Sequence, residues 1–530
     1  MKKLIIKASF LLLSLTVAVG CKKDIDDKFN NPENVLDPNL PGLFTGMLNN
    51  DRVAAKYWNV RTFLSQMPGV YAQTTYISNG NTIYQQSDSY SQQYWDDFYT
   101  PGGNGSGTVA LYRAMEKKFN TLSSTDQAAQ RVILQAAKVV MIEQAAKMVD
   151  LWGDIPYSEA GNLTAKDLIK NAKYDDQKAL YISFISDLAN AGTYFKTATS
   201  TAAFAKADIL LKGDVNKWAR YANSLRLRLL MRISKTDETT AKTAVLQMLS
   251  DQTNFPLVDG GNVGTYNPGS SDILLQPLTN NTNDLHDAFF EGSWYATDYM
   301  LNTLMVPAND PRIPVIYEKF GETINGKFVQ NPTYRAMPNT FTTNEQETNW
   351  RKYAVLDSAT FVFNIKLPGI LITASEVNLL KAEAYERWGS TTDAKTAYDL
   401  GLKQSVAFYY YLNSVNPGAY TKADVPSTAT VDTWVNASTA SYGGTQTDKL
   451  AKIATQKWAH FGVLQSIEAW SEYRRTGFPV LTFPTNGKQV GFETPPTRLV
   501  YPAKEKTLNS ANYQAVQAKD TRKTKIFWMP

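Results

Sequence analysis

Apolar positions along the chain recur mainly at helical spacing and fall into blocks separated by long polar stretches. Residues 131–151 are apolar on nearly every face, which predicts a buried helix. It is expected to stop at Trp152-Gly153-Asp154-Ile155-Pro156, where a glycine suits a helix C-terminus and a proline follows. In 217–234, Trp218, Tyr221, Ala222, Leu225 and Leu229 share one face. Arg220, Arg226, Arg228 and Arg232 fall largely elsewhere and are expected to be solvated or paired. Residues 373–388 repeat the pattern through Val377, Leu380, Ala384 and Trp388. After a break at Gly389-Ser390, the small residues Ala394, Ala397, Gly401 and Ser405 follow at close to four-residue steps. Small residues let helix backbones approach, so the two segments read as an antiparallel hairpin, the repeat unit of a tetratricopeptide array. The full repeat signature is absent. Residues 449–475 predict one further helix, with Leu450, Ile453, Trp458, Phe461 and Leu464 inward.

The segments between are less regular. Residues 68–107 are rich in Tyr, Gln, Asn, Ser and Gly and end in a glycine-rich run. Residues 251–300 hold Gly260-Gly261, Pro268-Gly269 and a ring cluster of Phe289, Phe290, Trp294, Tyr295 and Tyr299. Asn325-Gly326, flanked by Thr323-Ile324 and Lys327-Phe328-Val329, is a hairpin signal. Long ordered excursions on a rigid scaffold are where binding function tends to sit. Trp95 reads as packing, since its neighbourhood opens a helix.

The N-terminus carries an address. Lys2, Lys3 and Lys7 precede an apolar run to Val19, and small residues lead to Cys21, the only cysteine in 530 residues. This is a targeting segment rather than a membrane-spanning helix. It looks like a bacterial lipobox with Cys21 as the lipidation site, although Ala18 is smaller than usual three residues before the cysteine. Lys22-Lys23-Asp24-Ile25-Asp26-Asp27 resembles the surface-export signal of Bacteroidetes lipoproteins. The expected organisation is a signal peptide over 1–20, a lipidated tether over 21–43 containing Pro32, Pro38 and Pro41, and a single domain over 44–530. Its helical scaffold is expected mainly at 108–240, 370–412 and 449–480, with irregular excursions at 68–107 and 241–369.

Composition narrows the classes. Hydrophobic residues at 43% and charged at 19% read as globular. Net charge is +5, three of those charges sit in the signal segment, and no long Lys/Arg run stands out, so nucleic acid is not an expected partner. With Cys21 lipidated, no disulfide is available, and packing must supply stability. The 29 Tyr and 11 Trp include rings suited to wet binding surfaces, although most are expected in the core.

Catalytic signals are sparse. His286 and His460 are the only histidines, neither lies in HExxH, and both read as core or surface residues. Gly321 to Lys327 has Walker A spacing, but Phe328 stands where Ser or Thr must hold magnesium, and the flanks read as strand–turn–strand. There is no GxSxG elbow. Asp150 and Asp154 bracket Trp152, and both are expected to hydrogen-bond local backbone. No catalytic or metal-binding residue is assigned.

Several motifs together resemble one family. Asp150-Leu151-Trp152-Gly153-Asp154-Ile155-Pro156-Tyr157-Ser158-Glu159 is similar to the LWGDxPYsE segment of the SusD/RagB surface lipoproteins. Trp218 through Arg228, Asp310-Pro311-Arg312-Ile313-Pro314, and Ala374 through Ala384 fit further family patterns. So do Gln456-Lys457-Trp458 with Glu468 to Pro479, and Arg498-Leu499-Val500-Tyr501-Pro502. The matches run in the family's order over nearly the whole chain.

The resemblance implies a mostly α fold: a tetratricopeptide-like helical solenoid of about four helix pairs, with an irregular loop-rich ligand-facing region and short β-hairpins. It implies a non-enzymatic cell-surface receptor. Such a receptor captures oligosaccharides and delivers them to a SusC-like TonB-dependent transporter in the outer membrane. A peptide-binding, RagB-like receptor is the alternative; a surface glycoside hydrolase and a structural tetratricopeptide adaptor are the rivals from other classes. No cofactor is expected, and a structural calcium ion is left open. Trp152, Trp218, Trp458 and Trp470 are expected to pack the scaffold. Sugars need rings to stack on and polar side chains to meet hydroxyls. Two segments supply both, and Tyr76, Tyr84, Trp294 and Tyr295 are the ligand-binding candidates.

Overall fold

The computed structural model describes residues 39–530 except 102–106, 162–170, 263, 279–284, 293 and 438–439. Cys21, the range expected as signal peptide and the expected tether to residue 38 lie outside the described residues. Asn39 caps the first described helix, α1 (Leu40–Leu48), which lies partly inside the range read as tether.

Among the described residues, four helix pairs form the scaffold. They are α3 (Thr108–Asn120) with α4 (Ser124–Trp152), and α5 (Gln177–Thr197) with α6 (Val215–Arg232). The others are α9 (Ala374–Trp388) with α10 (Thr391–Ser414), and α11 (Gln446–Phe461) with α12 (Ser466–Thr476). Neighbouring pairs meet through α4 on α5, α6 on α9, and α9 on α11. Trp388, Leu450 and Leu464 of the other expected faces are only partly buried, whereas the expected face of 217–234 is buried, with Trp218, Tyr221, Ala222, Leu225 and Leu229 at most 1% exposed. Trp152, Trp458 and Trp470 are likewise fully buried. The small-residue face of α10 lets it approach α9: a Cβ placed on Gly401 would sit 3.0 Å from Leu379 Cγ.

Three expectations need correction. Residues 449–475 are not one helix: α11 ends at Phe461, and α12 starts at Ser466. Gly462 between them has φ +50°, a conformation that favours glycine. Residues 68–107 contain α2 (Asp88–Tyr99), which buries Tyr94, Trp95 and Phe98, and α7 (Glu238–Ser250) runs past 240. Asp150 does not bond local backbone. It accepts from the Tyr181 hydroxyl and from Trp528 Nε1 at 2.8 Å, and faces Arg232 at 3.5 Å. Asp154 accepts from Gln177 N at 3.1 Å and pairs with Lys519 at 2.7 Å.

Asp150 belongs to a buried ion cluster at the centre of the array. Arg228 holds Glu376 with both nitrogens, at 2.5 and 2.7 Å, and Arg232 meets Glu468 at 2.5 Å. Arg475 holds Glu383 at 2.8 and 2.6 Å, while Lys457 lies 3.3 Å from Glu383 and 3.1 Å from Glu472. These residues come from α4, α6, α9, α11 and α12, so the cluster ties all four pairs together. The motifs that carry the resemblance supply its charges: Asp150, Arg228, Glu383, Lys457 and Arg475.

The strands are short and antiparallel. They are β1 (Ile155–Pro156) with β2 (Tyr174–Asp175), and β3 (Ile273–Leu275) with β8 (Gly369–Ile372). β4 (Tyr317–Lys319) pairs with β7 (Ala354–Leu356), and β5 (Gly321–Ile324) with β6 (Lys327–Gln330). The last pair is the hairpin expected at Asn325-Gly326, with positive φ at both turn residues.

Candidate aromatic binding site

The excursion between α7 and α9 carries the site. β7 is the pivot: it pairs with β4 on one edge, and on the other Tyr295 bridges to Val355. Leu356 N donates to Trp294 O at 2.7 Å, and Ala296 N donates to Ala354 O at 3.0 Å. This backbone ladder fixes Trp294 and Tyr295. The hairpin strand end brings Phe320 to the same place, and a short turn before β7 brings Trp350. Trp294 then lies 5.4 Å from both Phe320 and Trp350, and 5.7 Å from Tyr295, measured between ring centroids.

A short helix, α8 (His286–Gly292), leads into Trp294. It buries Ala288 and Phe289 and turns Phe290 outward, 42% exposed. Phe290 stacks on Trp294 at 4.4 Å and 24°. Glu291 on the same helix accepts from the Tyr57 hydroxyl at 2.9 Å and from Arg61 Nε at 3.0 Å. That anchors the segment bearing Trp58, which is 50% exposed.

The four candidate residues fall in two connected places. Trp294 and Tyr295 are half-buried in the ring cluster. Tyr76 meets Tyr295 edge-on at 5.7 Å. Tyr76 and Tyr84 are only 4% and 3% exposed, and they line one small cavity of about 30 Å³ together with Gln73, Asp298 and Asn339. The Tyr76 ring therefore supports the cluster rather than facing outward, and the Tyr84 ring packs edge-on against Phe483 at 5.8 Å. Burial pushes the hydroxyls of Tyr76, Tyr84 and Tyr295 up, so each stays a neutral hydrogen-bonding group. Trp294 Nε1 has no acceptor among the described residues, unusual for a buried indole N–H.

Trp58, Phe320 and Trp350 were not singled out from the sequence. Trp58 sits among apolar neighbours and Phe320 and Trp350 in mixed stretches, so only tertiary contact reveals their role. The polar groups close to the rings, exposed Arg351 and Glu291 and partly buried Gln346 and Asn349, supply donors and acceptors. Arg351 stacks over the Trp350 ring at 4.4 Å. The arrangement can offer ring faces and hydrogen bonds to a ligand. Both histidines serve local packing. His460 is buried between Thr373 and Ser405, and burial, with Arg312 nearby, lowers its pKa to about 3. His286 lies on α8 against Phe290 and Phe363. Among the described residues, no group of three or more His, Cys, Asp or Glu is placed to hold a metal ion. No helix among them is long and apolar enough to cross a membrane.

Four stacked helix pairs with a ring cluster on their connecting excursion define a helical-repeat protein of the tetratricopeptide-like class. The family model described as starch-binding and associating with the outer membrane matches residues 32–502, and the chain belongs to this SusD-like family. A solved structure described as a chitin-binding protein is 26% identical, with a TM-score of 0.74 over 93% of this chain and 100% of that one. A chitin-binding SusD homolog from Flavobacterium johnsoniae is 22% identical, with a TM-score of 0.67 over 92% and 98%. A SusD-like protein from Bacteroides thetaiotaomicron is 21% identical, with a TM-score of 0.68 over 93% and 99%. The comparison with curated proteins gives no match.

Proposed function

We propose that this chain is a cell-surface lipoprotein that captures oligosaccharides and delivers them to a SusC-like TonB-dependent transporter. It binds its ligand and does not turn it over. The observation that carries the reading is the ring cluster around Trp294, held by strand pairing on a helical scaffold in a family described as starch-binding. Sugar rings have flat C–H faces that stack on such rings, and their hydroxyls bond to polar groups between them. The chitin-binding description of the 26%-identical structure favours a glycan over a peptide. It also makes oligomers of N-acetylglucosamine the first ligands to try.

The anchor reading rests on Cys21 and the segment before it. Two or more acyl chains hold a protein firmly, since each buried CH₂ contributes about 0.8 kcal/mol. The receptor reading is tested by screening the chain lacking residues 1–21 against glycans and peptide digests. Retention by a glycan supports it; retention by peptides alone moves the chain to peptide capture. The anchor is tested by labelling cells with a radioactive fatty acid. Label should enter the parent and vanish from Cys21→Ser. Co-isolation of a TonB-dependent transporter with the anchored parent tests the delivery step.

A further inference from the structure

Beside the Trp294 cluster, an open cleft of about 550 Å³ lies between α8 and the loop that follows α10. Its lining includes His286, Phe363, Asn416, Gly418 and Tyr420. Phe363 and Tyr420 stack face to face, 4.6 Å apart at 3°, and Tyr420 is 40% exposed.

The cleft is built rather than incidental. Asp357 caps the turn Ser358–Val362 through Thr360 N at 2.7 Å, and this places Phe363. Asn416 donates to Ala359 O and accepts from Gly418 N, both at 2.8 Å. Asn413 accepts from Ala423 N at 3.2 Å. The loop bearing Tyr420 is thus tied on both sides, which reduces the ordering cost of binding there.

The cleft is also continuous with the candidate site. Phe363 is 4.6 Å from His286, His286 is 4.5 Å from Phe290, and Phe290 is 4.4 Å from Trp294. Trp350 follows at 5.4 Å. A track of six rings therefore joins Tyr420 to Trp350, far longer than one sugar unit needs.

We infer that the Phe363–Tyr420 cleft is a second sugar platform, and that the ligand is an oligosaccharide long enough to reach from it to Trp294. The inference rests on the glycan-binding reading above. Length follows from the track.

The test is calorimetric titration with N-acetylglucosamine and its oligomers through the hexamer, and with the maltose series. In the parent, affinity should climb with chain length. In Tyr420→Ala the gain of the long chains should fall about tenfold, the size expected for one lost ring contact, while the dimer binds as before. Tyr420→Trp should restore the gain, which separates loss of a ring from loss of fold. Trp294→Ala should weaken every length. If Tyr420→Ala leaves long chains unaffected while Trp294→Ala still weakens them, the second platform is refuted and the receptor reading survives. If the parent binds neither series at any length, the inference is overturned for these glycans, and the receptor reading stands or falls with the wider glycan screen above.

Discussion

Glu383 offers the sharpest stability test of the scaffold. Its carboxylate is 3% exposed, accepts two bonds from Arg475 at 2.8 and 2.6 Å, and also meets Lys457 at 3.3 Å and Arg387 at 2.9 Å. Burial alone would raise its pKa, but Arg475, Lys457 and Arg387 outweigh that and hold the carboxyl well below the usual range. Glu383→Gln keeps the shape and removes the charge. Arg475 and Lys457 are then left to share Glu472, and Arg387 loses its partner. Breaking one side of such a buried pair costs about 3–5 kcal/mol. A chain of this size has an unfolding entropy near 1 kcal/mol per kelvin, so Tm should drop by roughly 3–5 °C. Calorimetry at neutral pH measures it, with exposed Glu322→Gln as a control expected to shift little. A Tm for Glu383→Gln within about 1 °C of the parent would refute the claim that the cluster ties the helix pairs.

Further outcomes follow from the same structure. Glu383, Glu468 and Glu472 are all held below the usual carboxylate value of 4.5, so their contribution is complete above that value and is lost as pH falls through the depressed ones; acid unfolding monitored by circular dichroism should steepen there. Asp272 runs the other way: burial raises its pKa to about 7, so its contribution is present at low pH and lost as pH rises from the unfolded value of 3.8 through about 7. Asp272→Asn should therefore melt with a smaller decline between pH 5 and pH 8 than the parent, as read by thermal scans. Gly153→Ala should destabilise by about 1–3 kcal/mol, because φ +81° is strained for any side chain and its Cβ would sit 3.3 Å from Gln177; urea titration reads it. Trp294→Ala should melt within about 2 °C of the parent, since the ring is only half-buried, yet lose glycan binding.

The helical scaffold was legible because its apolar residues repeat at the helical period and its motifs run in family order. Gly389-Ser390 and Gly401 gave the tight hairpin of α9 and α10 directly. Two features escaped. Gly462 breaks what looks like one amphipathic run from 449 to 475, since the periodicity survives the turn. The charges of Asp150, Arg228 and Arg475 carry no periodicity of their own, so their convergence on one cluster was invisible until the pairs were stacked. The site was half legible. Trp294 and Tyr295 stood out as rings in a polar excursion, whereas Trp350, Phe363 and Tyr420 come from three distant segments. Tyr76 and Tyr84 looked like surface rings because the residues around them are polar. The structure packs Tyr76 against Tyr295 and Tyr84 against Phe483, both lining a small cavity.

Affinity electrophoresis of the chain lacking residues 1–21, through gels containing single soluble polysaccharides, tests the central claim most directly. At least one glycan should retard the parent, and Trp294→Ala should migrate freely while melting like the parent. Retardation by none of them, or equal retardation of parent and Trp294→Ala, would contradict it.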